Sequence, residues 1–317
     1  MAQRPGAVEF TVSDLLREQR DSLKLELIAG EKSLSRRISV MELNRPGLAL
    51  SGFLEHFRPE RIQIIGFGEQ SYCSKTPGAR LSAALESMFR SKELPCLIMT
   101  HNLKAPAALV SSCRRFGVPL LRSSLDTAAL VSELSDALEE KLAPRTTLHG
   151  VLVDIYGLGV LIQGEPGIGK SECALELLKR GHILVADDAV EIQHRRGAVL
   201  RGSCPEPLKH YLEVRGLGII DVKLLFGIGA ILDHTRIELS IHLAPWSAQT
   251  HYDRTGLDAN KARIIDVEIP QIRIPVSPGR NLAVIIEVAA LNQRLRNQGY
   301  FAAETFNQRL IERMRAQ

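Results

Sequence analysis

Apolar positions in the first half of the chain fall in short runs between helical stretches. Ile62–Ile65 is apolar and β-branched and is followed by Gly66; Leu97–Met99 and Val118–Leu121 are similar, with proline close by. Runs of that length between helices predict a small α/β layer. From Asp126 to Leu142 the period changes. Leu130, Leu134 and Leu138 recur every four residues, on one face of a helix that Asp126 can cap. Pro144 stands just beyond it, so the chain is expected to divide into two domains, 1–142 and 143–317.

The second half opens with two strand-like runs, Val151–Tyr156 and Val160–Gln163, joined by an expected tight turn at Gly157-Leu158-Gly159. A glycine-rich loop follows. Next comes a helix from Lys170 to Arg180, with Leu175 and Leu178 on one face and Gly181 as its stop. His182–Ala186 is the next strand, and it ends at Asp187-Asp188. Further short strands run on to Ile274. The tail from Leu282 to Arg315 is expected to be helical, interrupted at Gly299. Its stripe of Val284, Val288, Leu291 and Leu295 is assigned to internal packing.

Composition narrows the function classes. The 317 residues are 45% hydrophobic and 24% charged, the balance of a globular protein. The net charge of +4 is dispersed, without the basic stripe of a nucleic-acid binder. No apolar stretch reaches the ~18 residues of a membrane span, and the N-terminus lacks the apolar run of a signal peptide. The cysteines, Cys73, Cys96, Cys113, Cys173 and Cys204, are odd in number and widely spaced, with no C-x-x-C. That argues against a disulfide framework or a zinc site, and points to a reducing cytoplasm.

The strongest chemical signal is Gly164-Glu165-Pro166-Gly167-Ile168-Gly169-Lys170-Ser171, which fits G-x-x-x-x-G-K-[ST] between a strand and a helix. Glycines let backbone N–H groups curl around phosphate oxygens, and the helix N-terminus adds partial positive charge. Lys170 can reach the outer phosphates of a nucleoside triphosphate such as ATP, and Ser171 can hold Mg²⁺ through its hydroxyl. Asp187 and Asp188, at the C-terminal end of a strand expected in a parallel sheet, would face those phosphates. One could contact Mg²⁺ through water, and the other could take a proton from an incoming hydroxyl. Taken alone, His149 reads as an ordinary surface or core histidine. Glu213, in the run Tyr211–Val222, sits either on a strand leading into a glycine loop or at a β-bulge. Arg254 and Arg280 are candidate charge stabilisers.

Together these pieces are specific. HGVLVDIYGLGVLIQGEPGIGKSECALEL, LVADDAV, YLEVRGLGIIDV, YDR and IPVSPGRN, with NRPGLALSGF and RIQIIGFGEQ in the first half, resemble the HPr kinase/phosphorylase family. The resemblance implies an α/β fold with an N-terminal domain like part of the Mur ligases. The C-terminal domain would be a P-loop kinase related to phosphoenolpyruvate carboxykinases. It implies catalytic roles for His149, Lys170, Asp188 and Arg254, with Asp187 as an acidic neighbour, and Mg²⁺ ligation by Ser171 and Glu213. It marks Leu212–Asp221 and Pro275–Arg280 as catalytic regions. The implied substrates are ATP and a serine of the phosphocarrier protein HPr, with orthophosphate consumed and pyrophosphate released in the reverse direction; a homohexamer is also implied. Pro166 departs from the family, where many members carry serine.

Other readings are a small-molecule P-loop kinase or a nucleotide-switch module. A GTPase needs N-K-x-D, whereas Asn260-Lys261-Ala262-Arg263 ends in arginine. Gly66-Phe67-Gly68 lacks the third glycine of a dinucleotide site and reads as a turn.

Overall fold

The computed structural model describes residues 9–91, 93–246 and 260–315, and forms two compact units that part between Ala143 and Pro144. The first unit holds one five-stranded sheet. Its strands are β1 (Leu25–Ala29), β2 (Leu43–Asn44), β3 (Ile62–Ile65), β4 (Leu97–Met99) and β5 (Leu120–Ser123), in the order β1-β5-β4-β3-β2. Strands β2 to β5 are parallel and β1 is antiparallel at the edge. Helices α1 (Val12–Gln19), α2 (Gly47–Leu50), α3 (Phe67–Lys75), α4 (Gly78–Phe89), α5 (Ala107–Phe116) and α6 (Thr127–Leu142) complete the unit.

Strand β5 begins two residues later than its apolar run suggests, with Leu120 opposite Leu97. Gly66 lies at the β3–α3 junction, where Glu69 accepts its N–H, so Gly66-Phe67-Gly68 is a capped strand-to-helix turn. Asp126 caps α6 by accepting from the Ala129 N–H at 2.8 Å, and Leu130, Leu134 and Leu138 are fully buried beneath it. Asp126→Ala is expected to lower stability by about 1 kcal/mol, read as a shifted denaturation midpoint with unchanged slope.

The second unit is built on a nine-stranded mixed sheet. Its strands are β6 (Arg145–His149), β7 (Val151–Ile155), β8 (Leu158–Gly164), β9 (Ile183–Ala186), β10 (Ala189–Arg195), β11 (Val199–Ser203), β14 (His234–Pro245), β15 (Lys261–Ile264) and β16 (Val267–Val276). A separate two-stranded ribbon is formed by β12 (Tyr211–Val214) and β13 (Gly218–Asp221). Four helices accompany them: α7 (Lys170–Lys179), α8 (Val222–Phe226), α9 (Leu282–Asn297) and α10 (Ala302–Arg315).

The apolar runs of β7 and β8 are unbroken because both sheet faces are covered. Val151, Val153, Val160 and Ile162 join the core beneath α7 and α9, while Leu152 and Leu161 join the core on the other face. The tight turn lies one step earlier than expected. Tyr156 and Gly157 carry the positive φ values, 55° and 81°, of a two-residue hairpin turn. Gly159 is inside β8, where an added Cβ would lie 2.2 Å from the Arg236 carbonyl oxygen, so this glycine serves close strand approach.

The tail also departs from expectation. Helix α9 buries Ala283, Ile286, Ala290 and Gln293, whereas Val284, Val288, Leu291 and Leu295 are exposed. Both sets have helical spacing, and the small alanines let the helix axis approach the sheet. All five cysteines are free and buried. Burial pushes the thiols of Cys73 and Cys204 up to about 11 and those of Cys113 and Cys173 to about 12, and raises Cys96 as well. Ellman's reagent at pH 8 is therefore expected to label the native protein slowly and all five thiols once it is unfolded.

Candidate active site

The direction of four strands organises the site. Strand β14 is parallel to β8 and to β16, and β9 reaches the direction of β8 through two antiparallel steps across β7. The sheet is thus mixed rather than parallel. Even so, β8, β9, β14 and β16 all deliver their C-terminal ends to one edge, as ligand crevices require. The phosphate loop leaves β8 there, Asp187-Asp188 leaves β9, and the Ser277–Arg280 turn leaves β16.

The loop has the conformation its glycines allow. Gly164, Gly167 and Gly169 have φ values of 153°, 84° and 100°, and Gly169 is the N-cap of α7. Lys170 begins that helix and is only 7% exposed; its Nζ donates to the carbonyls of Gly164 at 3.0 Å and Glu165 at 3.1 Å. Both partners are backbone carbonyls rather than carboxylates, so these contacts position the ammonium without forming an ion pair.

The paired aspartates point in different directions. Asp187 is buried; its carboxylate accepts from Ser171 Oγ at 3.0 Å and from the Glu213 N–H at 3.1 Å. Burial raises its pKa from the ordinary aspartate value, an effect that the hydrogen bonds from Glu213 and Ser171 oppose. Asp188 turns outward through a left-handed backbone, φ 66°, and its side chain is 66% exposed. His149 reaches it because β6 pairs with β10 in a register that sets His149 opposite Ala189. His149 Nδ1 lies 3.0 Å from Asp188 Oδ1 and 2.8 Å from the Asp188 carbonyl oxygen. The imidazole therefore holds Asp188, a contact that its sequence neighbourhood did not announce.

These groups line one open cavity of about 140 Å³, formed by His149, the loop residues Pro166, Gly167, Gly169, Lys170 and Ser171, and Glu172, Asp187, Asp188, Glu213 and Arg215. Of the two readings of Glu213, the strand leading into a glycine turn holds: β12 carries it, the chain turns through Gly216 and returns as β13, and the register has no bulge. Leu212 is fully buried and Val214 packs on the same core, so the alternate positions Glu213 and Arg215 turn to the cavity. Glu172 is the cavity residue that the sequence did not single out, and Arg215, inside the marked region Leu212–Asp221, was given no role of its own. Their signals were the position next to Ser171 and the two-residue strand spacing from Glu213. Arg280 is exposed on its turn and does not line the cavity, and Arg254 lies outside the described residues. Among the described residues, no group of three His, Cys, Asp or Glu side chains converges as a metal cage.

Two family descriptions span this architecture: "HPr Serine kinase N terminus" matches residues 10–138 and "HPr Serine kinase C-terminal domain" matches residues 140–310. The chain belongs to the HPr serine kinase family. It is 48% identical over 291 residues to the HPr kinase/phosphorylase of Bacillus cereus (strain B4264), covering 92% of this chain and 94% of that one. The family's HPr kinase/phosphorylase of Bacillus anthracis gives the same figures, 48% over 92% and 94%. The solved Hpr(Ser) kinase/phosphatase from Coxiella burnetii is 38% identical, with a TM-score of 0.46 over 50% of this chain and 97% of that chain. Among the described residues no helix is long and apolar enough to cross a membrane.

Proposed function

We propose that this chain transfers the γ-phosphoryl group of ATP to a serine hydroxyl of an HPr-type phosphocarrier protein. In reverse, it uses orthophosphate to remove that group as pyrophosphate. The observation that carries the reading is a phosphate loop sharing one cavity with a His149-held carboxylate, Asp188.

In the forward direction Asp188 accepts the proton of the serine hydroxyl as its oxygen attacks the γ-phosphorus and the bond to the β-phosphate oxygen breaks. The loop amides and Lys170 stabilise the charge spreading over the phosphoryl oxygens, with Arg254 as a further stabiliser. His149 orients the Asp188 carboxylate, and Asp187 fixes both the Ser171 hydroxyl and the strand carrying Glu213. Ser171 and Glu213, with Asp187 behind them, would hold Mg²⁺. These are hard oxygen donors, and this ion is commonly bound by one or two carboxylates plus substrate phosphates. When bound it neutralises phosphate charge beside the cavity's four carboxylates, those of Glu172, Asp187, Asp188 and Glu213.

In the reverse direction the loop cradles orthophosphate. Its oxygen attacks the phosphoserine phosphorus, the bond to the serine oxygen breaks, and Asp188 returns a proton to that oxygen. One carboxylate thus serves as base and acid. The turn from Pro275 to Arg280 flanks the same sheet edge in this reading. The kinship of the two units with Mur ligases and phosphoenolpyruvate carboxykinases, the cytoplasmic setting and the homohexamer complete the proposal. The exposed apolar stripe of α9 supports assembly, which sedimentation would test.

The direct experiment mixes purified protein with HPr, Mg²⁺ and ATP, and separately with serine-phosphorylated HPr, Mg²⁺ and orthophosphate. Phosphoserine in the first and pyrophosphate in the second are expected. Transfer only to a small metabolite, or hydrolysis to free phosphate alone, would overturn the reading.

A further inference from the structure

The β12–β13 hairpin carries one cation that the mechanism above does not use. Arg215 stands at its tip, and the guanidinium nitrogens lie 2.8 Å from the point an added Cβ on Gly167 would occupy. Arg215 thus rests on the phosphate loop in space that exists because Gly167 has no side chain. Four carboxylates line the same cavity, yet among the described residues none forms an ion pair or hydrogen bond with this guanidinium. A solvent-exposed arginine needs no partner, so the significance lies in its placement. The hairpin is anchored from below by Leu212 and Val214 and from the side by the bond from the Glu213 N–H to Asp187. The tip is therefore positioned by the fold.

We infer that Arg215 is a phosphate clamp: its planar fork engages the phosphate in the γ position of the loop, which ATP and pyrophosphate fill and ADP leaves empty, on the Gly167 wall, as a second cation beside Lys170. A guanidinium suits this role because it is weakly hydrated and presents paired donors to phosphate oxygens. The proposal rests on the phosphoryl-transfer reading and adds a residue to it. It also explains how one site serves both directions. Orthophosphate and pyrophosphate bring no base or ribose to help them bind, so they depend more than ATP on cations at the loop.

The test compares wild type, Arg215→Ala and Arg215→Lys by calorimetric titration with MgADP, with a Mg²⁺-bound non-hydrolysable ATP analogue and with pyrophosphate, alongside both transfer assays. For Arg215→Ala, MgADP affinity should stay at the wild-type value. Affinity for the ATP analogue and for pyrophosphate should fall at least tenfold, and kcat/KM should fall on the order of 10²-fold in both directions. Arg215→Lys should recover part of the loss as a point charge, and added guanidinium should restore rate to the alanine variant. Wild-type affinity for pyrophosphate and wild-type kcat/KM in Arg215→Ala would overturn the clamp. So would an equal loss for ADP and ATP analogue with a lowered melting temperature, which marks a merely structural arginine. If wild type itself fails to modify HPr while the ADP-versus-pyrophosphate contrast holds, the function reading fails and the clamp stands.

Discussion

Asp188→Asn is expected to lower kcat for serine phosphorylation and for phosphorolysis together, by about 10²–10⁴-fold, while MgATP still binds. Asparagine keeps the size of the side chain and can still bond to His149, but it cannot take up a proton. It is also suited to the backbone here, because Asp188 sits at φ 66° and asparagine tolerates the left-handed region. Alanine would mix the loss of the carboxylate with backbone strain. Rapid-quench measurement of both directions, with nucleotide binding followed by titration, checks the expectation. A variant that keeps one direction near the wild-type rate would show that two different groups move the proton.

Lys170→Ala should fail differently. The ammonium is nearly buried and is held by the Gly164 and Glu165 carbonyls, so its removal takes away a strut of the loop together with the proposed phosphate contact. Nucleotide and pyrophosphate affinity should both drop, and kcat/KM should fall on the order of 10²–10³-fold in each direction. Lys170→Arg should not rescue, since a planar fork needs more room than this compact site offers. Titration calorimetry separates this outcome from that of Asp188→Asn. Near wild-type affinity for MgATP in Lys170→Ala would show that the loop amides alone hold the phosphates.

The contrast between these variants reflects how the site is assembled. The loop from Gly164 to Ser171 is contiguous, and every property it needs is local: glycines for positive φ, a lysine at the helix start, a hydroxyl next to it. It could be read directly from the chain. Asp187 and Asp188 could be read as the end of a strand, although the sheet turned out mixed and their shared edge depends on two antiparallel steps across β7. His149 could not be recognised from its neighbours. Its partner Asp188 is 39 residues away, and only the β6–β10 register joins them. Arg215 lies in the marked region Leu212–Asp221, but its place beside Gly167 could not be read for a related reason. Which face of the hairpin meets the loop follows from Leu212 and Val214 finding the core.

The same limit explains the misplaced packing stripe on α9. Helical periodicity shows that a face is apolar, but not which of two such faces meets the sheet. Residue volume decided it: Ala283 and Ala290 permit close approach that Val288 and Leu291 would block. By itself the sequence determined the local elements, the phosphate loop and the kind of chemistry it serves, because those depend on backbone preference and neighbouring side chains. Only the tertiary structure decided which distant charges share the cavity. Strand direction, register and the burial of one hairpin face are set by packing across the whole unit.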